Sequence, residues 1–192
     1  MDDEQLVETT IASRPIHTGR YLSVRVDTVR DADGREHTRD IIEHPGAVAI
    51  VALDEGQVLM VHQYRSPAGR VLVEIPAGTL ERGPDGSTED PALAGARELG
   101  EETGSAAATW RHLGAFYTAP GFAEEYMHLY LATDVTPIAG HVPDEDERLR
   151  VERVPWREAV RWALEGRLED AKSLVGLMWL ERLVAAGEVD PG

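Results

Sequence analysis

Along this chain, alternating hydrophobic and polar positions give way to a continuous apolar run, and two amphipathic segments close the sequence. Tyr21 to Val29 alternates in strand fashion, Asp31-Ala32-Asp33-Gly34 supplies a turn, and Glu36 to Glu43 returns as the partner strand. Ala47 to Leu53 is apolar throughout and reads as a buried strand, with Asp54-Glu55-Gly56 as a hairpin turn and Val58 to Tyr64 as the return. Val73 to Gly78 is a short strand running into a tight turn. Trp110 to Tyr117, Tyr126 to Ala132 and Val151 to Val154 are further strands, the first two separated by Thr118-Ala119-Pro120-Gly121-Phe122. Helical periodicity returns over Trp156 to Glu165 and Ser173 to Ala186, the latter carrying Leu174, Leu177, Met178 and Leu180. There is no internal repeat and no low-complexity linker. A mixed sheet with packed helices, an α/β fold, is the expected class.

One further helix stands among the strands and carries the chemistry. Asp90 is a good N-cap, Pro91 suits the first helical position, and Gly104 is the expected stop. Ala92, Ala96, Leu99 and Thr103 form a stripe expected to pack on the core. At about 100° per residue, the mean direction of Glu98, Glu101 and Glu102 lies well over roughly 90° from that stripe, so the acids are expected to face outward. Their i, i+3, i+4 spacing puts them on one face, where each like-charged pair costs a few tenths of a kcal/mol on a bare helix. The negative end of the helix dipole adds to the repulsion. A solvated acidic face is the plain alternative. Beside a turn whose carbonyls emerge at residues 76–78, however, the same cluster offers the hard oxygen ligands that Mg²⁺ or Mn²⁺ prefers.

Gly83, Glu89, Arg97, Glu98, Leu99, Glu101, Glu102 and Gly104 fit the pattern G-x5-E-x7-R-E-U-x-E-E-x-G-U, where U is a bulky aliphatic residue. In this the chain resembles the Nudix hydrolases; only the final U departs, being Ser105. The resemblance points to the ADP-ribose pyrophosphatase branch through three other stretches: the turn Pro76-Ala77-Gly78, the loop Pro120 to Glu125, and Asp144-Glu145-Asp146-Glu147. Relatives of that branch take the first glycine of the pattern from the Pro-Ala-Gly turn, yet Gly78 is separated from Glu89 by ten residues instead of five. Either Arg82 to Gly86 is an insertion or the pattern begins at Gly83.

The resemblance implies a Nudix α/β/α sandwich with a mixed sheet at residues 46–192, preceded by an N-terminal strand section at residues 1–45 that exchanges between the subunits of a homodimer. It implies Mg²⁺, with Mn²⁺ as an alternative, held by Glu98, Glu101, Glu102, the Ala77 carbonyl and Glu147. Glu145 becomes the general base, Glu125 is the loop acid expected to face the site, and Arg97 orients a glutamate rather than meeting substrate. Arg39 and Arg65 match positions that hold phosphates or the terminal ribose, and Tyr21 one that stacks on adenine. Each has a plainer reading: a solvated acidic turn for residues 144–147, strand-edge charges for the arginines, and core packing for the tyrosine.

Composition narrows the classes further. Of 192 residues 42% are hydrophobic, enough for a core, and no run approaches the eighteen or so apolar residues of a membrane span. The acidic start Met1-Asp2-Asp3-Glu4-Gln5 is unlike a signal peptide, and a cytoplasmic location is the expectation. The chain has no cysteine, and its histidines lack zinc-ligand spacing. A formal charge of −16 repels nucleic acid and anionic membranes, so neither is expected as a partner. An acidic protein acting on a diphosphate must concentrate cations locally, because the crowded oxygens repel a nucleophile. The leading expectation is Mg²⁺-dependent hydrolysis of ADP-ribose to AMP and ribose 5-phosphate. The alternatives are a hydrolase of another nucleoside diphosphate sugar or dinucleotide, and a Nudix-like module that senses ADP-ribose without cleaving it.

Overall fold

The computed structural model describes residues 2–19, 22–140 and 148–192. Contacts divide the chain into two compact units, Met1–Gly46 with Tyr117–Tyr126, and Ala47–Phe116 with Met127–Gly192.

The first unit opens with a single 3-10 turn, Asp3–Leu6, and is built on an antiparallel sheet of β1 (Thr9–Thr18), β2 (Ser23–Arg30) and β3 (Glu36–Glu43), with β2 in the middle. β2, the turn after it and β3 form where the sequence places them, although burial along β3 does not alternate. β1 does not announce itself in the sequence: Pro15 interrupts its pattern, and its pairing with β2 is broken by irregularities at Thr10/Ala12 and Pro15/His17. Every residue of β1 is exposed, the apolar Ile11 and Ile16 included. Arg25 ties the unit together, donating to Glu43 Oε1 at 2.7 Å and to Glu124 Oε1 at 2.6 Å. The loop of residues 117–126 runs against β3, where the Ile42 N–H donates to the Phe122 carbonyl at 2.7 Å and the Glu124 N–H to the Ile42 carbonyl at 2.9 Å.

The second unit is a mixed sheet between two helical layers. Its strands are β4 (Ala47–Asp54), β5 (Gln57–Arg65), β6 (Arg70–Glu74), β7 (Ala77–Thr79), β8 (Ser105–Tyr117), β9 (Tyr126–Pro137) and β10 (Leu149–Pro155); its helices are α1 (Pro91–Thr103), α2 (Trp156–Leu164) and α3 (Ala171–Ala185). The strand order is β10-β5-β4-β9-β8, with β6 on β5 and β7 on β4. β4 and β9 run parallel, and the other registered pairs are antiparallel. β4 has no polar alternation because both of its faces are covered. Val48, Ile50 and Ala52 join Ala94 and Leu99 of α1, whereas Ala49, Val51 and Leu53 join Trp156, Val160, Leu177 and Leu180 of α2 and α3. Among the described residues no helix is long and apolar enough to cross a membrane.

The face of α1 corrects the helical expectation. Ala94, Gly95, Glu98, Leu99 and Glu102 are its buried residues, while Ala92 and Ala96 are exposed. Glu98 and Glu102 therefore lie on the sheet side instead of facing outward. Counting apolar residues placed the stripe about one position off, because two glutamates occupy the helix's inner face and find polar partners there.

Candidate active site

The ends of α1 are built as the sequence implies. Asp90 Oδ1 accepts from the Ala92 N–H at 2.8 Å, and Gly104, at φ 65° in the left-handed region, donates its N–H to the Gly100 carbonyl at 2.9 Å. Between them Arg97 gathers the acids. Its Nε and Nη2 donate to the two oxygens of Glu89 at 3.1 and 2.9 Å, and its Nη1 donates to Glu98 Oε1 and Glu101 Oε2, both at 2.8 Å. Nη2 also reaches the Thr79 carbonyl at 3.3 Å. Hydrogen bonding to Glu89, which outweighs burial, pushes the Arg97 pKa up, and Arg97 in turn holds the Glu89 carboxyl below its ordinary value. All these contacts are with the protein's own oxygens, so the guanidinium orients carboxylates and spreads their charge.

The turn before the helix completes the arrangement. β7 pairs with β4 at Ala49↔Ala77 and Val48↔Gly78, and the Ile50 N–H donates to the Pro76 carbonyl at 2.8 Å. The Ala77 N–H donates to Glu102 Oε2 at 2.9 Å. At Gly78 a Cβ would stand 1.9 Å from the Glu98 carboxyl carbon, so only glycine admits that side chain. The excursion from Gly78 to Glu89 closes on itself: Arg82 and Thr88 form a bridge, the Gly83 N–H donates to the Ser87 carbonyl at 2.8 Å, and the Glu89 N–H to the Glu81 carbonyl at 2.9 Å. This hairpin returns the chain to Glu89, and Gly78, not Gly83, is the glycine that lies against the Glu98 carboxylate.

The donor chemistry suits a hard divalent cation. Glu98 and Glu102 are only 6% and 7% exposed, and Gly78 leaves a cradle that a Cβ would fill. Among the described residues no three acidic or histidine side chains already converge as a cage. Glu98 and Glu101 are drawn instead toward Arg97, and Glu102 toward the Ala77 N–H. Gly78→Ala tests the cradle. The added methyl is expected to drive the Glu98 carboxylate out of place, at a cost of about 1–3 kcal/mol in stability and most of the activity. Thermal unfolding and turnover measured on the variant check this, and wild-type values for both would remove Gly78 from the site.

The remaining candidates separate by unit. In the second unit Arg65 donates from Nε and Nη2 to Glu74 at 2.9 and 2.7 Å. In the first unit Arg39 lies on β3 in an open hollow lined by Thr28, Glu36, His37 and Thr38, and bonds Glu8. Glu125 accepts from the Thr118 hydroxyl and lies 3.7 Å from His44 Nε2, whereas Glu124 is taken by Arg25. Tyr21, Glu145 and Glu147 lie outside the described residues. Glu74 and Lys172 join the Arg65 cluster, and their sequence signals are slight: one acid ending an apolar strand, and the chain's single lysine.

Comparison with known proteins bears on this geometry. The NUDIX domain family matches residues 43–175, and the nucleoside diphosphate sugar hydrolase N-terminal domain matches residues 8–42. The chain is 39% identical over 180 residues to an ADP-ribose pyrophosphatase of Bacillus subtilis (strain 168), covering 93% of this chain and 95% of the relative. It is 42% identical over 174 residues to an ADP-ribose pyrophosphatase of Mycobacterium tuberculosis (strain ATCC 25618 / H37Rv), covering 88% and 81%. A solved structure of an ADP compounds hydrolase superposes with a TM-score of 0.79 at 21% identity over 95% of this chain and 97% of the other, which establishes a shared fold.

Proposed function

The chain belongs to the Nudix family of hydrolases, and we propose that its own reaction is the hydrolysis of ADP-ribose to AMP and ribose 5-phosphate. The observation that carries this reading is the pair of buried carboxylates, Glu98 and Glu102, packed against the Ala77-Gly78 turn with Arg97 spreading the acidic charge. Nudix hydrolases generally depend on a divalent metal. Mg²⁺ is the ion proposed here, with Mn²⁺ able to replace it, and Glu98, Glu101, Glu102, the Ala77 carbonyl and Glu147 are its proposed ligands. Bound there, a divalent cation neutralises the crowded diphosphate oxygens.

The chain's own groups supply the remaining steps. Arg97 holds the glutamates together and orients them. Arg65 and Arg39 offer guanidinium N–H groups to phosphate or ribose oxygens, and Tyr21 offers a ring to adenine. Glu145 accepts the proton of the attacking water as its oxygen bonds to phosphorus. The bridging P–O bond breaks, and its electron pair leaves with the departing phosphate. Glu125 is the alternative base. A second substrate reading, another nucleoside diphosphate sugar, is favoured by the family match at residues 8–42. A panel of nucleoside diphosphate compounds with Mg²⁺ or Mn²⁺ decides between them, with ADP-ribose expected to show the highest kcat/KM. Nucleic acid and anionic membranes are not proposed as partners for a chain of charge −16.

A homodimer is also proposed. A strand exposed on both faces, with Ile11 and Ile16 in water, is a sheet edge and an apolar surface that a second copy would cover. Light scattering is expected to give twice the mass of one chain at micromolar concentration, and deletion of residues 1–45 is expected to give a monomer that binds substrate poorly. A monomeric full-length chain would contradict the proposal.

A further inference from the structure

The second unit holds an ionic cluster of which the reaction above uses only Arg65, leaving Glu74, Lys172 and Asp170 without a part. Glu74, the last residue of β6, is 1% exposed, and its carboxylate accepts from Arg65 side-on and from Lys172 Nζ. Lys172 is 7% exposed in the first turn of α3 and also lies 3.0 Å from Asp170 Oδ1. Asp170 caps α3, accepting from the Ser173 N–H at 3.0 Å and the Ser173 hydroxyl at 2.6 Å. The same hydroxyl oxygen accepts from the Ile75 N–H at 2.8 Å. The end of β6 is thus tied twice to the start of α3. Burial alone would raise the Glu74 pKa, but Arg65 and Lys172 outweigh it and hold the carboxyl below its ordinary value.

The cluster uses one edge of Arg65 and leaves the other. A guanidinium has five N–H donors, of which the side-on pair with Glu74 takes two, the Nε hydrogen and one on Nη2. Among the described residues no hydrogen-bond partner is found for the other Nη2 hydrogen or the Nη1 pair, although Glu102 and Asp170 attract the guanidinium, and the side chain is 38% exposed. From Glu74 the chain passes through Ile75 and Pro76 to Ala77, whose N–H holds Glu102. Burying Glu74 against Lys172 is a poor way to stabilise a fold, since apolar residues of similar volume do as well or better. Holding a guanidinium at one angle is something apolar residues cannot do.

We propose that Glu74, itself held by Lys172, is a positioning residue that fixes the Arg65 guanidinium with its free edge presented to the diphosphate of the substrate. This rests on the reading of the chain as a nucleoside diphosphate hydrolase. A guanidinium fixed in advance loses less rotamer freedom when it binds, so the device acts on affinity.

A double-mutant cycle read by calorimetry, with ADP-ribose and the full-length chain in EDTA, tests the proposal without metal or turnover. Glu74→Gln is expected to raise Kd by roughly tenfold, as expected when a charge-assisted contact is misaligned. Glu74→Asp keeps the charge in the cluster but draws it back by one methylene from Arg65 and Lys172 alike, so it is expected to behave likewise and covers the case in which the Gln variant does not fold. In an Arg65→Met background neither change is expected to alter Kd further. With Mg²⁺ present, KM is expected to rise while kcat holds. Wild-type Kd in both Glu74 variants, or an equal loss with and without Arg65, would overturn the proposal. Should the wild-type chain bind no ADP-ribose in EDTA, the same cycle read as KM with Mg²⁺ decides the positioning claim by the same criterion; the substrate reading falls by itself only if the wild-type chain also leaves ADP-ribose intact with Mg²⁺ present.

Discussion

Glu102→Gln is expected to lower kcat by about 10³-fold, close to 4 kcal/mol at 1.36 kcal/mol per tenfold, while leaving the fold intact. The amide keeps the shape of the side chain, and its oxygen can still accept the Ala77 N–H now held at 2.9 Å. What it loses is the negative charge proposed to hold Mg²⁺, and its neighbours on α1 cannot make up for it, since Glu98 and Glu101 are proposed ligands in their own right and share one Arg97 nitrogen. Removing one member of a like-charged set also relieves repulsion by a few tenths of a kcal/mol, so the unfolding temperature should hold or rise slightly. Turnover near the wild-type level at saturating Mg²⁺ would sink the assignment.

The second large effect separates the base from the metal ligands. Glu145→Gln is expected to lower kcat by about 10²–10⁴-fold, the usual contribution of general-base catalysis, with ADP-ribose binding retained. Glu147→Gln should instead raise the Mg²⁺ concentration needed for half-maximal rate. Glu125 is the informative control. Its carboxylate already accepts from the Thr118 hydroxyl and lies 3.7 Å from His44 Nε2, so it has partners of its own on the loop. A crippled Glu125→Gln beside a silent Glu145→Gln would move the base to the loop of residues 117–126, and silence in both would leave activation of the water to the metal alone.

The limits of α1 were legible because they rest on local chemistry. Asp90, Pro91 and Gly104 are the residues that backbone geometry demands at those places, and the helix runs from Pro91 to Thr103 between them. The apolar run of β4 was legible for a similar reason, since burial on both faces leaves no polar position to confuse it. The orientation of the glutamates was not. Apolar periodicity assumes that acids seek water, and Glu98 and Glu102 are buried because Gly78, the Ala77 N–H and the adjacent Arg97 receive them, the first two being contacts between distant parts of the sequence. β1 escaped notice because an exposed edge strand bearing Pro15 has neither a core face nor regular pairing to impose alternation. Gly78 and Gly83 competed for one role on spacing alone, and only the closed hairpin of residues 82–88 decides it. Glu74 and Lys172 are 98 residues apart, a separation over which pattern says nothing.

The central claim is a reaction, and product identification tests it most directly. Purified full-length chain is incubated with ADP-ribose and Mg²⁺ in ¹⁸O-labelled water, and the products are resolved by mass spectrometry. The account predicts AMP and ribose 5-phosphate in equal amounts, one label shared between them per turnover, and no reaction in EDTA. Intact ADP-ribose under conditions where another nucleoside diphosphate compound is consumed, or cleavage that proceeds undiminished in EDTA, would contradict it.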